Sequence, residues 1–155
     1  MRVLLVEDED PKRDAILNFI TKAFPEFNVE LARSVRTAIA NIRADKPDLL
    51  LLDMSLPTFD IAPGEPGGRP QGFGGIEIMR FIEMQEIELP TIVITGYEAF
   101  SKANGQRIGV DALQKEFICD YPNFFRGLIY FDPIAGVWNE DFRKMVIAII
   151  QEKSP

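Results

Sequence analysis

The sequence predicts an α/β fold, a doubly wound parallel sheet covered by helices on both faces. Two observations predict it. Short apolar runs alternate along the 155 residues with amphipathic stretches at helical spacing. Two of those runs, Val3-Leu4-Leu5-Val6 and Leu49-Leu50-Leu51-Leu52, are followed directly by acids, as strands are when they open onto a ligand site at the carboxyl edge of such a sheet.

The elements follow in order. After the first strand, Asp10-Pro11 reads as an N-cap followed by a first-turn proline, opening a helix to about residue 24 with the stripe Ala15, Ile16, Phe19, Ile20 and Ala23 facing the core. Residues 27–32 form a short second strand. Ser34 then caps a helix whose Val35, Ala38, Ile39 and Ile42 point inward, and Pro47 ends it before the Leu run. A third helix covers 76–84, a fourth strand 91–95, a fifth strand 127–131 and a closing helix 140–151, with Phe142, Val146, Ile149 and Ile150 on one side. Five strands and about five helices in alternation make a flavodoxin-like arrangement the economical solution, in one domain over 1–155.

Two stretches break this rhythm. Residues 58–75 hold Pro63, Pro66 and Pro70 among six glycines and read as a long irregular loop. Residues 98–126 exceed what one crossover helix needs and include the aromatics Phe117, Tyr121, Phe124 and Phe125. Each is either a tolerated insertion with a small satellite core or a lid or partner surface at the rim of the site.

Composition excludes several classes of function. A formal net charge of −7 and the absence of any basic run argue against nucleic acid or an anionic membrane as the main partner. No apolar stretch approaches the roughly 20 residues that span a bilayer, and the amino terminus is not a signal peptide, so a cytoplasmic protein is expected. The lone Cys119 cannot form an internal disulfide and is expected to be a small buried apolar side chain. With no histidine in the chain, Ser-His-Asp and Cys-His catalysis and imidazole-based zinc sites are ruled out.

What remains is carboxylate chemistry. If the two runs are parallel strands of one sheet, Glu7, Asp8 and Asp53 share a small pocket at its carboxyl edge. Three carboxylates crowded together are costly without a cation, which points to a divalent metal, most plausibly Mg²⁺.

Four segments in order, Arg2-Val3-Leu4-Leu5-Val6-Glu7-Asp8-Glu9-Asp10, the stretch from Leu49 to Pro57, Gly75-Ile76-Glu77 and Thr91-Ile92-Val93-Ile94-Thr95-Gly96, resemble the response-regulator receiver domain of two-component signalling. The resemblance implies that Asp53 is the phosphoacceptor, and that Glu7, Asp8, Asp53 and the backbone carbonyl of Ser55 hold Mg²⁺. It also implies that Thr95 is the switch hydroxyl, with Tyr130 a weaker match to the family's aromatic switch. The donor would be a histidine kinase or phosphotransfer protein, and the output docking to a downstream protein. Such a domain is not an enzyme beyond its own phosphoryl transfer to, and hydrolysis from, Asp53.

One position departs from the family. Where a lysine followed by proline ordinarily leaves the fifth strand and contacts the phosphoryl group, this chain has Asp132-Pro133. One unit-charge pair about 5 Å apart at an effective dielectric of about 20 is worth roughly 3 kcal/mol, so the loss matters. Lys102 or Lys115 could substitute, Asp132 could point away, or phosphorylation could have been abandoned.

Two readings therefore stand: a phosphorylation-controlled single-domain switch, since no room is expected for a DNA-binding output domain, and a degenerate receiver acting as a phosphorylation-independent interaction module. A haloacid-dehalogenase-like phosphohydrolase is a distant third, because Glu7 stands where that family has its nucleophilic aspartate. Trp138, beside the exit of the fifth strand, is expected to serve packing.

Overall fold

The computed structural model describes residues 1–62, 73–101 and 104–155. In chain order the elements are β1 (Arg2–Val6), α1 (Asp10–Ala23), β2 (Asn28–Ala32), α2 (Val35–Ala44), β3 (Leu49–Leu52), α3 (Gly74–Met84), β4 (Thr91–Thr95), β5 (Ala99–Ser101), β6 (Arg107–Gly109), α4 (Val110–Asp120), β7 (Phe125–Tyr130) and α5 (Trp138–Lys153). Five strands form one parallel sheet in the order β2-β1-β3-β4-β7, the doubly wound arrangement, and β5 and β6 pair as a separate antiparallel hairpin.

Alternation along the strands divides the core into two layers. Leu4, Val6, Leu50, Leu52 and Val93 face α2, α3 and α4, whereas Val3, Leu5, Leu49, Leu51, Ile92 and Ile94 face α1 and α5. The central strands are buried at nearly every position, so they read as unbroken Leu and Val runs rather than as an alternating pattern.

Helix starts differ in small ways from expectation. The N-cap of α1 is Glu9, not Asp10, and it makes no side-chain cap bond; Asp10 is already helical and pairs with Arg13 at 2.6 Å. Ser34 does cap α2, in a capping box with Thr37. The closing helix starts earlier than expected because Trp138 is its first buried residue, packed edge to face on Phe19 at 5.3 Å and against Phe131 at 5.1 Å.

The segment 98–126 holds the β5–β6 hairpin and α4, and its aromatics join the core. Phe117, Tyr121, Phe124 and Phe125 are buried in the same layer as Leu50 and Val93 rather than in a separate cluster. Cys119 is exposed, contrary to expectation. The buried side of α4 carries Leu113 and Phe117, four residues apart, and Cys119 lies about 200° around the helix from Phe117 at 3.6 residues per turn. Of the proline-glycine loop, residues 63–72 lie outside the described residues, as does Lys102.

Candidate acidic site at the carboxyl edge of the sheet

Strand register assembles the site. Val6 lies opposite Leu52, so Glu7 and Asp53 leave β1 and β3 side by side, and the Asp53 amide donates to the Val6 carbonyl at 3.1 Å. The strand order reverses at this point, β1 leading outward to β2 and β3 to β4, which opens the crevice where such sheets bind ligands. Carboxylate oxygens of Glu7, Asp8 and Asp53 lie within 4.8 Å of one another.

The loop after β3 is held from two sides. Amides at the start of α2 donate to it, Val35 to the Pro57 carbonyl and Arg36 to the Thr58 carbonyl, both at 3.0 Å. From the other side Gly75 donates to the Met54 carbonyl at 2.9 Å, in a contact so close that a Cβ on Gly75 would lie 2.5 Å from the Asp53 carbonyl oxygen. Glycine is required there for lack of room. Ser55 is buried in this loop, and backbone N–H groups of Met54 and Ser55 hydrogen-bond the Asp53 carboxylate.

A lysine that the sequence reading did not single out sits at the centre. The Nζ of Lys12, on the first turn of α1, lies 2.6 Å from Glu7 Oε2, donates to Asp53 Oδ1 at 2.9 Å and donates to the Ile94 carbonyl at 2.8 Å. Its side chain is 5% exposed. The three donors of the ammonium thus meet three acceptors, two just past the ends of β1 and β3 and one on β4. A signal for it is present in the sequence: Lys12, Ile16 and Ile20 recur every four residues and all are buried, so the apolar stripe of α1 is headed by a lysine.

The two expected substitutes stand differently. Lys115 is exposed on α4, and Lys102 lies outside the described residues; among the described residues the cation on Asp53 is Lys12. Asp132 is turned into its own loop, where its Oδ1 accepts the amides of Ile134 at 2.9 Å and Ala135 at 3.3 Å. An aspartate accepting two amides of its own loop is a turn residue, and here it leaves the pocket to the other acids.

Thr95 is fully buried at the end of β4, its hydroxyl accepting the Tyr97 amide at 3.2 Å. Tyr130 lies opposite it on β7 but is 38% exposed, with its hydroxyl 3.4 Å from Glu98 Oε1.

Three carboxylates share one ammonium, and their acidities report it. Burial pushes Glu7 up to about 7, with the Asp53 charge adding to the rise and Lys12 opposing it. Asp53 and Asp8 are also raised, by burial first. Burial would discharge Lys12, but Asp53 and Glu7 more than offset it, so the ammonium is raised and stays charged. With all four groups ionised the pocket carries two uncompensated negative charges, and its donors are oxygens. That charge and that donor set fit a hard divalent cation.

The family model of the response regulator receiver domain matches residues 3–118, so the chain belongs to the receiver domain family of response regulators. It is similar to the Detocs response regulatory protein DtcB of Enterobacter cloacae (strain JD6301), 26% identical over 148 residues that cover 94% of this chain and 98% of the relative. In fold it is similar to a signal receiver domain from Vibrio parahaemolyticus, with a TM-score of 0.66 at 20% identity over 97% of this chain and 90% of that one. It also resembles the response regulator TrrA of Thermotoga maritima, solved in complex with Mg(2+)-BeF, with a TM-score of 0.58 at 16% identity over 93% of this chain and 97% of that one. Among the described residues no helix is long and apolar enough to cross a membrane.

Proposed function

We propose that this receiver domain is a phosphorylation switch in which Asp53 accepts a phosphoryl group from a histidine kinase or phosphotransfer protein and a protein partner reads the result. The observation that carries the reading is the carboxylate of Asp53, 4% exposed at the switch point of the sheet, with carboxylate oxygens of Glu7 and Asp8 within 4.8 Å. Asp8, Asp53, Glu7 and the Ser55 carbonyl are the groups that would hold Mg²⁺. When bound, Mg²⁺ supplies charge neutralisation for a transferring phosphoryl group.

The chain's own residues do the rest. Backbone N–H groups of Met54 and Ser55 orient the Asp53 carboxylate as the nucleophile. The Thr95 hydroxyl, bound in this state to the Tyr97 amide, has an exchangeable partner and can turn toward a phosphoryl group. That movement would alter the loop after β4, where Tyr97 stands 52% exposed, and give a partner a changed surface to read.

The competing reading, a receiver that has abandoned phosphorylation, rested on the two insertions, 58–75 and 98–126, and on the absence of a lysine after the fifth strand. A buried ammonium 2.9 Å from Asp53 weakens that support. Incubation with Mg²⁺ and acetyl phosphate followed by intact-mass measurement tests the proposal. One phosphoryl adduct is expected, and it should be missing from Asp53→Asn. No adduct under conditions that label another receiver overturns it, and partner capture that survives Asp53→Asn would favour the degenerate module.

A further inference from the structure

We propose that Lys12 is the catalytic cation of this site, reaching in from α1 to hold the phosphoryl group on Asp53 in place of a lysine at the exit of β7. The inference rests on the reading of Asp53 as the phosphoacceptor and assigns a role that no residue after β7 fills. Asp132 occupies the position after the fifth sheet strand, carries the wrong charge, and is engaged with the amides of Ile134 and Ala135.

The geometry of Lys12 goes beyond what a buried ion pair needs. Two of its acceptors, Glu7 Oε2 just past the end of β1 and the Ile94 carbonyl on β4, hold the ammonium, while the third is Oδ1 of the reacting carboxylate. The ammonium is therefore anchored independently of Asp53, and one donor faces the atom whose charge changes during transfer. A donor held in advance where charge develops needs no reorganisation at the moment of reaction.

The transfer itself balances simply. A carboxylate oxygen of Asp53 forms a bond to the phosphorus of an acyl phosphate, the bond from that phosphorus to the acyl oxygen breaks, and the carboxylate leaving group departs with the electron pair. No proton moves. Before transfer the negative charge lies on the Asp53 carboxylate; afterwards that group is an uncharged acyl oxygen and the charge lies on the phosphoryl oxygens. The hydrogen bond of Lys12 follows the charge, passing from Oδ1 to a phosphoryl oxygen while its bonds to Glu7 and Ile94 persist. Because the cation stands on the α1 side, phosphorylation is sensed by β1 and β4 together, and Ile94 is the residue next to Thr95.

The test uses the whole chain. Labelling by acetyl phosphate with Mg²⁺ is followed by intact mass in the wild type, Lys12→Met, Lys12→Arg and the double variant Lys12→Met with Asp132→Lys. Lys12→Met should label about 100-fold more slowly, the scale of losing one prearranged donor to a developing anion. Lys12→Arg should keep part of the rate, and a lysine restored at 132 should recover part of it. Calorimetry without phosphodonor should find Mg²⁺ bound more tightly by Lys12→Met, because a competing cation has left the acids.

Equal labelling of the wild type and Lys12→Met overturns the inference and leaves the phosphoacceptor reading intact. Faster labelling of Lys12→Met also overturns it, showing Lys12 to be a lock on Asp53. An unlabelled wild type removes the phosphoacceptor reading and this inference with it. Should Lys12→Met not fold, the wild type decides alone: the slowly exchanging ammonium resonance of Lys12 should shift when beryllofluoride is added to the Mg²⁺-saturated protein. An unmoved resonance at full beryllofluoride occupancy rejects the role.

Discussion

The two sides of the pocket are built on different rules. On the side of β1 and β3, each acid stands at the end of a buried strand, and the pairing of Val6 with Leu52 brings Glu7 and Asp53 together. On the side of β4 and β7, the strand end that would carry a cation carries Asp132 instead, bent back onto Ile134 and Ala135, and the positive charge arrives from a helix. A buried cluster of carboxylates needs a cation at a point in space, and any element that reaches that point can deliver it. Strand ends are placed by register, whereas a long flexible side chain can come from a neighbouring helix.

Removing the helix-borne charge should cost the protein most. In metal-free protein, Lys12→Met should lower unfolding free energy by about 3–5 kcal/mol, because it leaves the buried carboxylates of Glu7 and Asp53 without a cation; urea melts with and without Mg²⁺ would measure it, with Mg²⁺ returning much of the loss. A loss below about 1 kcal/mol would mean that the acids are not held by Lys12.

The acidic side can be probed by pH. Glu7 is raised from 4.5 to about 7, so the folded protein binds this proton more tightly than the unfolded chain does. Stability of the metal-free protein should therefore fall as pH rises from about 4.5 to about 7, by up to about 3 kcal/mol from this group, with buried Asp53 acting in the same direction. Mg²⁺ should reverse the slope, since it binds the deprotonated acids. Thermal melts at pH 5.5 and pH 8, each with and without Mg²⁺, read both signs, and a flat profile without metal would remove the argument.

A smaller effect is expected where the loop after β3 touches α3. Gly75→Ala places a Cβ 2.4 Å from the Met54 methyl and 2.5 Å from the Asp53 carbonyl oxygen, and the carbonyl can yield only by moving Asp53. The cost should be about 1–3 kcal/mol, with slower phosphoryl labelling. The smallest effect belongs to the side of β4 and β7: Asp132→Ala gives up two amide hydrogen bonds in an exposed loop and should cost about 1 kcal/mol or less, leaving the Mg²⁺ affinity unchanged. A large change in Mg²⁺ affinity in that variant would place Asp132 in the site after all.

Much of the fold was legible because burial on both faces of a parallel sheet leaves a plain mark, unbroken apolar runs such as 49–52 and 91–95. The capped start of α2 was legible from Ser34, since a capping box is a local interaction. The β5–β6 hairpin was not, because three-residue strands held mainly by each other leave too short a pattern. The exposure of Cys119 is not legible from its residue type, because its angle around α4 decides it. Lys12 was passed over for a related reason: a lysine in the first turn of a helix is usually solvated, and only the continuation of its spacing into Ile16 and Ile20 marks it as inward-facing.

The sheet, the order of its elements and the acids at two strand ends are written in the chain, because they depend on local periodicity and on the composition of each run. Which cation meets Asp53 is a matter of packing, because it depends on how far α1 brings a side chain across the ends of β1, β3 and β4, a distance that no spacing along the chain encodes.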